Sequence, residues 1–124
     1  MDNFKKYQVN NYSVDYMYIK DIKWDNDGLK INLESEKHNN KINLIFDDTV
    51  YLYLNTAEAY KPNSWIETKD DYYPFYYSEE SEYINKLKED VDHIENDKII
   101  HFIIIGVDNV LDVLTSDLPK INIE

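Results

Sequence analysis

A chain of 124 residues with a formal charge of −12 and no cysteine has room for one domain, residues 1–124. It cannot hold a disulfide framework, a thiolate metal site or a cysteine nucleophile. The 25 acidic residues face 13 basic ones, all lysine, so phosphate backbones and anionic membranes are repelled and neither is an expected direct partner.

Hydrophobic residues make up 43% of the chain and aromatics 15%, enough to bury a core, so disorder is not expected. The segment 1–13 has no apolar stretch of the kind a secretory signal needs, and no run in the sequence is long enough to span a bilayer. Lys, Asn, Ile and Tyr are heavily used and Arg is absent, the usage of AT-rich codons. The expectation is a cytoplasmic protein of a low-GC bacterium, or of one of its phages or plasmids.

Period two dominates the first half. Ile22 and Trp24 alternate with Asp21 and Lys23, and Asp25-Asn26-Asp27-Gly28 supplies a turn that favours positive φ at its end. Leu29, Ile31 and Leu33 then alternate with Lys30, Asn32 and Glu34, which predicts a hairpin with one buried face. A turn at His38-Asn39-Asn40 leads to Ile42, Leu44 and Phe46. Asp47-Asp48 turns into Val50, Leu52 and Leu54, with Tyr51 and Tyr53 on the opposite face. Successive strands with short turns predict an antiparallel meander.

The period changes over about residues 78–95. Ile84, Leu87, Val91 and Ile94 fall on one helical face, Ser78 is the expected N-cap, and Glu79, Glu80 and Glu82 suit the positive end of the helix dipole. Glu82 and Lys86 form an i,i+4 pair. The isoleucine-rich stretch Lys98 to Ile105 predicts a central strand buried on both faces. Gly106-Val107-Asp108-Asn109 is a turn, Val110 to Leu114 pairs back, and Pro119 favours an extended edge. The expected fold is α+β: a curved antiparallel sheet of roughly five to seven strands, able to close toward a barrel, with one main helix.

Catalytic and metal signals are sparse. His38, His93 and His101 have no zinc spacing, and no nucleophile elbow exists. Asp25-Asn26-Asp27-Gly28 resembles part of a calcium loop, but no Glu closes it, so it reads as a turn. Gly28 and Gly106 are the only glycines, too few for a phosphate loop. No catalytic residue, metal or cofactor is expected.

The concentrated signal lies between Glu67 and Asp97, where eleven acids stand against three lysines. Trp65, Tyr72, Tyr73, Phe75, Tyr76, Tyr77 and Tyr83 are woven through it. Tyr and Trp supply contact area at low entropy cost, and surrounding acids steer a basic partner. The alternative is structural: Tyr73, Phe75 and Tyr77 alternate inward while the acids form a solvated face. The expected partner-binding residues are Asp70, Asp71, Tyr72, Tyr73, Tyr76, Tyr77, Glu79, Glu80 and Glu82.

Ser64-Trp65-Ile66, the acidic stretch after it, and IIHFIIIGVDNVLDVLTSDLPKI at 99–121 resemble small bacterial immunity proteins encoded beside polymorphic toxins. The likeness rests on a strand, a GxDN turn, the strand V-L-D-V-L and a following Pro, and covers the C-terminal half. It implies a protein that binds a cognate toxin in the cytoplasm and blocks it without catalysis. Nuclease toxins are often basic because they hold phosphate, so an acidic, Tyr-rich inhibitor would compete for that surface. Three other readings stay open: a phage or mobile-element inhibitor that mimics nucleic acid, a small enzymatic or ligand-binding barrel with a polar cluster at His101, and a structural subunit.

Overall fold

The computed structural model describes residues 4–9, 12–14, 16–35, 40–57 and 73–123. Nine strands and one helix run through them: β1 (Lys5–Lys6), β2 (Met17–Asp25), β3 (Gly28–Ser35), β4 (Lys41–Phe46), β5 (Val50–Ala57), β6 (Phe75–Ser78), α1 (Glu82–Asp90), β7 (Ile100–Ile105), β8 (Asn109–Thr115) and β9 (Lys120–Ile123). They form two antiparallel sheets, β1-β6-β7-β8-β5 and β2-β3-β4-β9.

The alternation in the first half decides the packing. Leu29, Ile31 and Leu33 of β3 and Ile42, Leu44 and Phe46 of β4 are all buried and face Phe75, Phe102, Ile104, Leu111 and Val113 of the other sheet. Phe46 meets Phe102 edge-on across the gap, with centroids 5.5 Å apart. Each such side chain contributes about 1.5–3 kcal/mol on burial, which makes this layer the main source of stability.

The fold is broadly α+β, as expected, but the single curved sheet tending to a barrel is not what forms. Among the described residues there are two sheets, and they do not close into a barrel. The predicted meander ends at β4, whose free edge is taken by β9 with Leu44 opposite Ile121. After Asp47-Asp48 the chain crosses to the other sheet, where β5 pairs with β8. The crossing is fixed by Thr49, whose carbonyl accepts from the Ser116 N–H at 2.8 Å and from the Thr115 hydroxyl at 3.1 Å.

A register shift between Val50 and Leu52 re-phases β5. Val50 and Tyr53 pack on the main core, while Tyr51 and Leu52 turn to the helix side. Simple alternation puts Tyr51 and Tyr53 on one face; the bulge separates them.

The hairpin turn forms as expected. The Asp27 N–H donates to Asp25 Oδ1 at 2.8 Å, and Gly28 adopts φ +115°. A Cβ on Gly28 would lie 2.3 Å from the Phe46 carbonyl oxygen, so the position needs glycine for space as well as conformation. Gly28→Ala is expected to cost about 1–3 kcal/mol from backbone conformation alone, read as a lower urea midpoint at unchanged slope.

The helix begins later than its sequence pattern suggests. Ser81, not Ser78, is the N-cap, its Oγ accepting from the Ile84 N–H at 3.2 Å. Ser78 belongs to β6, and its hydroxyl accepts from the Glu80 N–H at 3.0 Å. Ile84 and Leu87 pack inward, but Val91 is the C-cap and exposed. Lys86 pairs with Asp90 at 3.4 Å, one turn onward from the expected Glu82. Among the described residues, no helix is long and apolar enough to cross a membrane.

Candidate functional site

The outer face of the five-stranded sheet positions everything of functional interest. On β7 and β8, Phe102, Ile104, Leu111 and Val113 point into the main core. Alternation therefore turns His101, Ile103, Asp112 and Leu114 to the other face. Two covers lie over them. Phe4, Tyr73 and Tyr76 pack around Ile103, Ile105 and Val110, while α1 packs through Ile84 and Leu87 against Ile99, Leu114 and Leu52.

Between the two covers sits a buried polar chain. His101 Nε2 lies 2.7 Å from Asp112 Oδ1, and both side chains have zero exposure. His101 Nδ1 lies 2.9 Å from Ser81 Oγ, the oxygen that caps α1. The chain is matched throughout when the imidazole carries its proton on Nε2. Ile84 N–H then donates to Ser81 Oγ, the Ser81 hydroxyl to Nδ1, and Nε2–H to Asp112. Tyr83 stacks on the imidazole at 5.0 Å and Phe4 meets it edge-on at 5.1 Å.

Ser, His and Asp at these distances have the composition of a hydrolytic triad. Here, however, the serine oxygen already accepts from a helix N–H, all three side chains are buried, and two aromatic rings pack on the imidazole. The constellation ties α1 to β7 and β8. Among the described residues the barrel expected around His101 does not form, and Ser81, His101 and Asp112 are buried.

The predicted binding residues divide into three groups. Asp70, Asp71 and Tyr72 lie outside the described residues. Tyr76 is 2% exposed, so it is corrected from a surface contact to a packing group, while Tyr73 and Tyr77 are half-buried. The reason is that β6 is covered on both faces. Phe75 and Tyr77 serve the main core and Tyr76 the second cluster, so both phases of the strand are used. Tyr73 also donates its hydroxyl proton to the Tyr7 carbonyl.

Glu79, Glu80 and Glu82 are exposed and follow one another around the β6–α1 corner. With Lys5, Tyr77 and Ser78, the first two line an open cleft of about 280 Å³. Glu79 reaches Lys98 at 3.6 Å, an exposed pair of small net worth. Glu89, Asp90, Asp92 and Glu95 continue the exposed acids along α1 and the turn after it.

A second depression, about 320 Å³, opens between α1 and β5, lined by Leu52, Leu54, Leu114, Tyr83 and Leu87, with Lys86 and Asp90 at its lip. Leu54 is 45% exposed. Sequence reading missed this groove because helix and strand residues contribute to it from opposite ends of the pattern. The buried pair was legible in principle. His101 and Asp112 each interrupt an apolar strand, and a tight turn joins the two strands, so antiparallel pairing places them diagonally on one face.

Tyrosines brace the surrounding layers. Tyr51 donates to Asp97 Oδ2 at 3.0 Å, and Tyr7 donates to the Pro119 carbonyl at 3.0 Å. Burial raises the Tyr51 phenol above its ordinary value, with the Asp97 hydrogen bond and the Asp97 and Asp48 charges adding to it. Burial likewise raises Tyr7 and Tyr73. A folded value above the unfolded one means the neutral phenols stabilise fully below about pH 10, and that contribution fades as pH climbs through the folded values. An absorbance titration is expected to show part of the tyrosine ionisation at higher pH in the folded chain than in denaturant.

At the opposite corner, Lys120 Nζ lies 2.6 Å from Asp47 Oδ2 and holds the Asp47 carboxyl below the ordinary range. The chain matches no family model, no curated protein and no solved structure.

Proposed function

We propose that this protein is a non-catalytic inhibitor that binds a basic protein, an immunity protein that occludes the active site or substrate groove of a cognate toxin. The observation that carries the reading is the run of exposed carboxylates, Glu79, Glu80, Glu82, Glu89, Asp90, Asp92 and Glu95, around one corner and along one helix. Only Lys86, Lys88 and Lys98 offset them there. Such a face presents fixed negative charge where a phosphate-binding groove expects nucleic acid.

Its aromatic contribution is smaller than the sequence suggests. Tyr77 is half-buried at the corner and Tyr83 half-buried on α1, while Tyr76 serves the core. The interface is therefore read as mainly electrostatic at its rim, with the apolar groove beside α1 as its dry part.

The test is capture of the product of the adjacent gene by the purified chain, at low and high salt. A basic partner that is held at low salt, released as salt rises, and silenced in its own activity assay when bound supports the reading. Absence of any such partner, or a partner whose activity is unchanged in the complex, overturns it.

A further inference from the structure

The edge strands of the two sheets are not alike. Of the four, β1 is two residues long and all lysine, and β9 is four residues long and carries Lys120. β2 bears Lys20, Asp21, Lys23 and Asp25 and a register shift between Ile19 and Asp21. Charges, shortness and bulges are the ordinary devices that stop an edge from pairing with another chain.

β5 has none of these beyond its first residues. Its eight residues, VYLYLNTA, include no charge and no proline. From Leu52 to Ala57 the register with β8 is unbroken. Leu54, on this edge, is among the most exposed large apolar residues described.

The groove lies against the same strand. Leu52 and Leu54 form one wall, Tyr83 and Leu87 of α1 the other, and Leu114 the floor. A strand laid beside β5 would run about 4.8 Å away and turn every second side chain toward the face that Leu52 and Leu54 occupy. Edge strand, helix and groove together have the layout of peptide recognition by strand addition, in which main-chain hydrogen bonds supply affinity and alternate side chains fill pockets.

We propose that β5 is a docking edge for an extended, basic segment of the partner. The segment adds as a sixth strand to the β1-β6-β7-β8-β5 sheet and seats apolar side chains at alternate positions in the groove. This rests on the reading of the protein as a binder of a basic partner. Charge complementarity selects that occupant: exposed Glu89 lies on α1 and exposed Asp48 precedes β5, beyond Asp90 and Asp47, which Lys86 and Lys120 pair, and the chain carries −12. A lysine-rich segment is drawn by that overall field, whereas a second copy of this chain brings equal negative charge and is repelled.

The test is amide hydrogen exchange, resolved by residue, on the free chain at two concentrations. It is then repeated with a short synthetic peptide alternating valine and lysine, and with a control alternating valine and glutamate. The expected result is fast exchange, in the free chain, of those Leu52–Ala57 amides that do not pair with β8. The lysine peptide slows them at least ten-fold and the glutamate peptide does not, and Leu54→Lys abolishes the protection while the exchange of β7 and β8 stays unchanged.

Protection already present in the free chain overturns the proposal. If independent of concentration, it assigns the edge to this chain's own segment 58–72; if concentration-dependent, to a second copy. Equal protection by both peptides, or protection that survives Leu54→Lys, also overturns it. Glu79, Glu80 and Glu82 play no part in this readout. Partner capture without peptide protection therefore defeats strand docking alone, and peptide protection without any captured basic partner defeats the inhibitor reading alone.

Discussion

Replacing His101 with alanine is expected to cost about 3–5 kcal/mol, the range for removing one partner of a buried, hydrogen-bonded carboxylate. The side chain leaves three separate deficits. Asp112 loses the donor at 2.7 Å while remaining at zero exposure, so a carboxylate stays in a dry layer without that proton. Ser81 loses the partner that fixes its hydroxyl while it caps α1. Tyr83 and Phe4 lose the ring they pack on, leaving a cavity between helix and sheet.

A domain of this size commonly has about 5–15 kcal/mol in all, so the variant is expected to be marginal. Urea unfolding at neutral pH measures it, and a small loss would mean that water reaches Asp112. The double variant His101→Ala, Asp112→Ala separates the causes. If the loss of the imidazole donor to Asp112 dominates, the second substitution restores part of the loss; if the cavity dominates, it deepens it.

The second large effect concerns binding. Reversing Glu79, Glu80 and Glu82 to lysine changes the charge at the corner by six units without touching a buried side chain. Thermal stability is expected to fall only slightly: these side chains are exposed and the Glu79–Lys98 pair is worth little, while lysine in the first turn of α1 opposes the helix dipole by about 0.3–1 kcal/mol. Association with a basic partner is expected to slow by about 10- to 1,000-fold at low salt, and the difference should shrink as salt screens the field. Stopped-flow or surface-based kinetics at two ionic strengths measures both. An unchanged association rate would move the contact away from the corner. A slower rate with unchanged dissociation would place these residues at the rim.

The sequence-based expectations succeeded where one face of an element was buried. β3 and β4 alternate cleanly because only one side meets the core, and β7 reads as continuous isoleucine because both sides are covered. β6 is legible only in the alternative reading, where Tyr73, Phe75 and Tyr77 alternate inward, and Phe75 and Tyr77 do serve the main core. FYYS is covered on both faces, so its polarity does not mark the strand, and its first partner, β1, is only two residues long. The number of sheets was not legible either. Alternation states that a strand has a buried face but not which sheet receives it, and that choice at Asp47-Asp48 rests on Thr49 meeting Thr115 and Ser116, 66 and 67 residues away. For the site, the acids at Glu79, Glu80 and Glu82 stand exposed as composition suggested. The tyrosines beside them divided because a tyrosine serves a core as readily as an interface, and only the packing of Phe4 over the sheet decides for Tyr76.

The hydrogen bond from Tyr7 to the Pro119 carbonyl spans 112 positions of sequence and joins the residue after β1 to the residue before β9. This contact between the two sheets can form only once residue 119 has been made. Until β9 leaves the ribosome, β4 has one unsatisfied edge and the apolar layer of Ile42 and Leu44 stands open along it. Pairings so distant in sequence fold on the order of milliseconds to seconds, slowly for a domain this small. Until β9 pairs, the β2-β3-β4 sheet is incomplete and its apolar flank is open. A net charge of −12 repels like chains and so opposes association of copies in that state.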